Sequence, residues 1–261
     1  MIEISSLETP CIVIDENIVK HNIATMAEFA RQNGVQLRPH IKTHKIPEFA
    51  LQQVSQGAVG ITTAKVSEAE VMADHGISDI FIAYPIVAPS KIKRVIALAK
   101  RIRISIGVES MAAAEELSRQ ATEAGVTLQL RLEVDTGLAR TGVAPHQALE
   151  LAQQIAALPG LDLNGIFTFK GAVYKGSSTL DLEAAGLEEG RIMVETAEIL
   201  QNAGLRIQHV SVGSSPTAIY AAKVEGVTEI RPGTYIFNDR MLTVMKLAKL
   251  KNVRPKFVSR L

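Results

Sequence analysis

Hydrophobic positions along the chain follow two alternating patterns. Short runs rich in Val, Ile, Leu and Thr recur as VQLRPHIK (35–42), AVGITTA (58–64), DIFIAYP (79–85), RIRISIGV (101–108), TLQLRLEVD (127–135), LDLNGIFTF (161–169), RIQHVSVG (206–213) and TEIRPGTYI (228–236). Their length and β-branched content suit buried strands. Between most of them, apolar residues return at helical spacing, as in KIKRVIALAK (91–100), MAAAEELSRQATEAG (111–125) and HQALELAQQIAALPG (146–160). In SEAEVMADHG, Ser67 and Glu70 spell a capping box and Gly76 closes the helix. The stretch from Leu180 to Gly204 is helical in pattern, with a break expected near Gly186 or Gly190. Only SSPTAIYAAKVEGV (214–227) separates the last two runs, so the helix there must be short.

Strands separated by helices imply a parallel sheet, and eight such units in a row predict a (β/α)8 barrel. An open, doubly wound sheet is the alternative, because periodicity does not see closure. The N-terminal residues supply an extended segment (Cys11–Ile14) and then a helix ending near Gly34. The domain plan expected is an extended segment (1–15), a barrel (16–240) and a basic tail (241–261). That tail carries Lys246, Lys249, Lys251, Arg254, Lys256 and Arg260 without an acid, the pattern of a solvated face.

Composition narrows the function. At 261 residues and 47% hydrophobic, the chain has enough apolar material for a large core, which excludes a disordered protein. A formal net charge of +1 makes no electrostatic case for nucleic acid, and 4% aromatics argues against a stacking platform. No apolar run is long enough to span a membrane, and the start lacks a signal-peptide pattern. With Cys11 alone there is no internal disulfide; a reducing, cytoplasmic setting is expected.

In such a barrel the strand ends carry the chemistry. Alternation along LRPHIK puts Arg38, His40 and Lys42 on one face, where neighbouring cations and burial lower a lysine pKa toward the neutral amine that Schiff-base chemistry needs. A lysine snorkelling beside a core histidine is the plainer reading. Gly213, Ser214 and Ser215 before a short helix offer N–H groups and hydroxyls to a phosphate, or form an ordinary capped turn. Arg131, Glu133 and Asp135 share a face, as working groups or as an internal ion-pair network, and Arg140 follows in a loop. Glu229, Arg231, Gly233 and Tyr235 share another face, putting the Tyr235 hydroxyl near the mouth. No metal-ligand cluster is spelled; His40 and His44 lie on different elements. An amine, a guanidinium, a phenol and a phosphate cradle suit a phosphorylated aldehyde, pyridoxal phosphate (PLP).

The stretches TPCIVID, LRPHIKTHK, TAKVSEAE, VDTGLARTGV, VGSSPTA and EIRPGTYIFND, in this order over about residues 8–240, resemble the D-threonine aldolase and D-serine dehydratase family of alanine-racemase-like PLP enzymes. The resemblance implies an alanine racemase N-terminal type of barrel with the C-terminal β domain largely absent. It implies that Lys42 bonds the cofactor, with His40 as a catalytic neighbour. Arg140 would contact the cofactor's phenolic oxygen, Gly213, Ser214 and Ser215 its phosphate, and Tyr174 and Tyr235 its surroundings. Phe167 stands where a family tyrosine is expected. The family's divalent metal is held by a second domain whose ligands this sequence does not contain. The activity implied is lyase chemistry on a D-β-hydroxy amino acid, by retro-aldol cleavage or β-elimination, with a homodimer as the family's usual assembly. A PLP carrier without turnover, an amino-acid racemase and a sugar-phosphate barrel are the alternatives.

Overall fold

The computed structural model describes residues 7–249, 252 and 253 and, for the backbone, 256–258. In chain order the strands are β1 (Cys11–Val13), β2 (Gln36–Leu37), β3 (Ile61–Thr63), β4 (Asp79–Pro85), β5 (Arg103–Val108), β6 (Leu128–Glu133), β7 (Leu161–Phe167), β8 (Val173–Tyr174), β9 (Ser177–Ser178), β10 (His209–Val212), β11 (Glu229–Ile230) and β12 (Lys256–Val258). The helices are α1 (Glu16–Gln32), α2 (Pro47–Ser55), α3 (Val66–Asp74), α4 (Pro89–Ala99), α5 (Met111–Glu123), α6 (Ala148–Ala156), α7 (Leu182–Asn202), α8 (Ala218–Ala221) and α9 (Arg240–Val244).

Eight strands form one parallel sheet in the order β2-β11-β10-β7-β6-β5-β4-β3. Its two ends meet. Thr62 N–H donates to the Pro39 carbonyl at 2.8 Å, and His40 and Thr62 form a parallel bridge. The sheet is therefore a closed barrel, and the doubly wound alternative falls away. Ile and Val residues of the strands pack outward against the helices in one continuous core. β1 pairs antiparallel with β12 outside the barrel. Of the basic tail, Lys251, Arg254 and Arg260 lie outside the described residues, as does the Lys256 side chain. Among the described residues no helix is long and apolar enough to cross a membrane.

The barrel interior is partly ionic. Glu229 is fully buried and accepts from Arg38 Nε at 2.7 Å, Arg131 Nη1 at 2.5 Å and Ser211 Oγ at 2.5 Å. Arg38 also reaches Asp79, at the start of β4, at 2.5 Å. Burial pushes the Glu229 pKa up, but Arg131 and Arg38 outweigh it and hold the carboxyl below the usual range. Arg131 lies over the Phe81 ring, 4.5 Å from its centroid. So Arg38 and Arg131 belong to an ion-pair layer toward the barrel floor.

Three local expectations need correction. The run 35–42 is not one strand: backbone pairing ends at His40, and Ile41–Thr43 is a 3-10 turn. The Ser67–Glu70 capping box does not form. α3 begins at Val66, and Glu70 is drawn away by Arg94 of α4. Third, α7 runs unbroken through Gly186 and Gly190. A Cβ on Gly186 would meet the Thr217 carbonyl at 2.8 Å, and one on Gly190 would meet Val224 Cγ2 at 2.6 Å. These glycines let α7 lie close against α8; they do not interrupt it.

Candidate active site

A cavity of about 280 Å³ opens at the C-terminal ends of the barrel strands. Its walls come from His40 and Lys42 beyond β2, Glu133 and Arg140 on and after β6, Phe167 and Phe169 at the end of β7, residues 213–216 after β10, and Arg231, Gly233 and Thr234 after β11. Met241 and Met245 of the α9 region complete it.

Lys42 sits exposed at the mouth, in the 3-10 turn. Its N–H donates to His40 Nδ1 at 3.3 Å. The Lys42 ammonium lies 5.2 Å and the Arg140 guanidinium 4.8 Å from the centroid of the Phe169 ring. Desolvation, then Arg140 and Arg231, lower the Lys42 pKa, and Glu68 opposes them. His40 is shifted well below its ordinary value by burial and by Lys42, Arg231 and His44, so its imidazole is neutral at pH 7. Burial raises the Glu133 pKa, although Thr141 Oγ1 donates to its carboxylate at 2.7 Å. Arg231 is buried, donates to Ser211 Oγ at 2.6 Å and to the Thr168 carbonyl, and is lowered by burial to about 10.

The loop that presents Arg140 is folded by its own sequence. Asp135 Oδ1 accepts the N–H groups of Gly137 at 2.9 Å and Leu138 at 3.0 Å, an Asx-type turn. Glu109 accepts Gly142 N–H at 2.6 Å and ties down the far side.

Beside the turn that carries Lys42, after the neighbouring strands β11 and β10, lies a polar turn. Ser215 Oγ accepts the N–H groups of Gly233 at 3.1 Å and Thr234 at 2.8 Å, so two backbone donors converge there. Gly233 packs so near the strand that a Cβ would meet the His40 carbonyl at 2.8 Å. Gly213 has φ +86°, the left-handed region, and starts the turn. Its N–H is committed to Glu189 of α7 at 3.1 Å, so Gly213 shapes the cradle while other groups supply donors.

Of the residues named from sequence, the cavity brings together Lys42, His40, Arg140, Gly213, Ser214 and Ser215. It does not bring in Tyr174 or Tyr235. Tyr174 lies half-buried on the β8–β9 hairpin, under the Lys175 ammonium. Tyr235 is buried with its hydroxyl accepting from Gln53 Nε2 at 2.9 Å, in α2. Alternation fails for Tyr235 because Pro232 and Gly233 end the strand and a 3-10 turn follows. It fails for Lys42 likewise: the amine reaches the cavity from a turn, and Arg38 points elsewhere. Glu133 and Arg231 were legible as inward-facing charges but not as cavity walls. Met241 and Met245 carried no signal, since they follow the last strand. His44 points away from His40: its Nδ1 accepts Ile46 N–H at 3.0 Å, and its ring lies 6.0 Å from that of Phe49. Among the described residues no three His, Cys, Asp or Glu side chains are grouped as metal ligands.

Comparison with known proteins agrees with this barrel. The sequence is 36% identical over 240 residues to the D-threo-3-hydroxyaspartate dehydratase of Delftia sp. (strain HT23), covering 91% of this chain and 63% of that one. It is 32% identical over 237 residues to the D-threonine aldolase of Arthrobacter sp, covering 90% and 62%. This chain thus spans under two thirds of the length of these relatives. The solved structure of the Delftia dehydratase superposes with a TM-score of 0.89 at 34% identity, over 97% of this chain and 67% of that one. A mutant of a D-threo-3-hydroxyaspartate dehydratase, described as metal-free, superposes with the same TM-score of 0.89. The family model for the alanine racemase N-terminal domain matches residues 14–241, nearly the whole barrel, and the chain belongs to that family.

Proposed function

We propose that this chain is the PLP-binding barrel of a lyase acting on D-3-hydroxy amino acids. One observation carries the reading: a lysine of lowered pKa lines the same small cavity as a turn of serine hydroxyls. The donor set fits the cofactor. The hydroxyls of Ser214 and Ser215 suit a phosphate ester, that of Ser215 being polarised by the Gly233 and Thr234 N–H groups it accepts; Arg140 suits a ring oxygen. When bound, PLP supplies an electron sink for the pair released as a bond to the amino acid's Cα breaks.

The chain's own groups do the rest. Lys42 presents an amine that loses its proton more readily than an ordinary lysine, which favours nucleophilic attack on a carbonyl. His40, neutral, accepts the Lys42 N–H and fixes the turn that carries the amine. Glu133 holds a proton more firmly than a surface carboxylate, placing a proton carrier in the wall. Phe167, Phe169, Met241 and Met245 give that wall an apolar side that excludes water. Retro-aldol cleavage takes a proton from the β-hydroxyl; β-elimination takes the α-proton and expels the hydroxyl. The names of the relatives divide along this line, and the substrate class, a D-amino acid with a 3-hydroxyl, comes from them.

The test is borohydride reduction of the PLP-loaded chain followed by peptide mapping. The reading expects one labelled site, at Lys42, lost in Lys42→Ala. Label scattered over surface lysines sinks it. Incubation with D-threonine and D-3-hydroxyaspartate, with and without divalent cations, then reads glycine, the retro-aldol product, against ammonia released with an oxo acid, the product of β-elimination and hydrolysis. A Lys42 label with neither product supports a cofactor carrier.

A further inference from the structure

A wholly buried acid that neither this mechanism nor the Arg38–Arg131 ion-pair layer uses is Glu189, in the middle of α7. Its Oε1 accepts Gly213 N–H at 3.1 Å, and its Oε2 meets Thr217 Oγ1 at 3.0 Å. Thr217 Oγ1 in turn lies 3.0 Å from Ser214 Oγ and accepts Ser214 N–H at 3.3 Å. Ser214 lines the cavity. A chain of hydroxyls thus connects a buried carboxyl to the polar turn.

The direction of that chain depends on one proton. A hydroxyl has one hydrogen to give. With Glu189 ionised, Thr217 donates to the carboxylate. Thr217 Oγ1 can then only accept from Ser214, so Ser214 spends its hydrogen inward and shows lone pairs to the cavity. With Glu189 protonated, the carboxylic O–H donates to Thr217, Thr217 donates to Ser214 Oγ, and the Ser214 hydrogen is released toward the cavity. The first arrangement meets an anion with lone pairs and a buried negative charge. The second meets it with a donor and a neutral acid.

We infer that Glu189 is a positioning residue that takes up a proton when an anion binds the turn, switching Ser214 from acceptor to donor through Thr217. This rests on the phosphate reading above. The surroundings agree in direction: burial raises the Glu189 carboxyl, outweighing the Gly213 and Thr217 hydrogen bonds and the nearby cations Arg231 and Lys170. Lys170 is itself paired with Glu188, the neighbouring residue on α7.

Sulfate is the probe, because it remains a dianion across the pH series. Its affinity is measured by calorimetry for the wild-type chain and for Glu189→Gln, in two buffers of different ionisation enthalpy to count protons. Lys42 titrates in both proteins alike, so the readout is the difference between the curves. Wild-type affinity is expected to fall, relative to the variant, by up to about tenfold per pH unit above the Glu189 pKa, with proton uptake on binding. Glu189→Gln donates permanently to Thr217, so that component vanishes while binding persists. Thr217→Val, which cuts the relay but keeps the carboxyl, removes the part of the slope carried by the hydrogen-bond reversal and serves if the first variant does not fold; a slope as steep as wild type would assign it to the buried charge alone and overturn the relay. Parallel curves with equal proton counts overturn the relay and leave the phosphate reading standing. No sulfate binding at any pH overturns both.

Discussion

At the scale of single residues, environment decides protonation more than residue type does. His44 shows it most simply. Burial lowers its pKa to about 4. A base whose folded pKa is depressed contributes stability that is present above its unfolded value and is lost as pH falls. Urea unfolding of the wild-type chain should therefore show stability declining from near pH 6.5 toward about 4. His44→Asn keeps an acceptor for the Ile46 N–H and removes the titration. Its decline should be shallower over that range; an unchanged slope would assign the acid limb to other groups, His40 foremost.

At the scale of elements, the site depends on how close two helices lie. α8 carries no long apolar face; it is positioned because Gly186 and Gly190 let it touch the α7 backbone. Gly186→Ala gains about 1 kcal/mol of helix propensity. It also drives a methyl group onto a carbonyl and onto Tyr220 Cβ, neither of which is a flexible side-chain end, an overpacking cost of about 1–3 kcal/mol. The net effect expected is a lower urea midpoint and weaker sulfate binding, since Thr217 is the residue displaced. Gly190→Ala meets Val224 Cγ2 at 2.6 Å and its Cβ at 2.9 Å, so it should also lower the urea midpoint, but it does not touch Thr217 and should leave sulfate binding nearly unchanged. Equal losses of sulfate binding in the two variants would mean that the contact with Thr217 is not special.

At the scale of the whole molecule, the barrel is apolar outside its strands and ionic within. Glu229 of β11 is the hub, holding Arg38 just past the neighbouring β2 and Arg131 of the more distant β6. Removing it strands the buried Arg131 guanidinium and leaves Arg38 to Asp79 alone, so Glu229→Ala should cost about 3–5 kcal/mol in urea unfolding. Because the pair is shielded from solvent, added salt should change that loss little. Its depressed pKa means the contribution is complete above the ordinary carboxylate range and is lost only as pH falls through the lower folded value. A loss under about 1 kcal/mol, the range of exposed pairs, would show that the network is dispensable.

What the sequence determined by itself is what period and local chemistry encode. The eight strands, the helices between them, the short α8, the loop that carries Arg140 and the Gly-Ser turn after β10 were all legible. Each arises from residues adjacent in the chain. Alternation also brought Glu133 inward. It failed at Lys42 and Tyr235, where a 3-10 turn replaces the strand, because period two holds only while backbone pairing continues. Closure, the Glu229 hub, the fit of Gly186 against Thr217 and the Glu189–Thr217–Ser214 chain were settled by tertiary structure alone. They join residues far apart in sequence, and neither Gly186 nor Glu189 carries a local mark of its partner. A glycine in a helix reads as a break, and a glutamate reads as surface, until the packing puts another backbone beside the one and excludes water from the other.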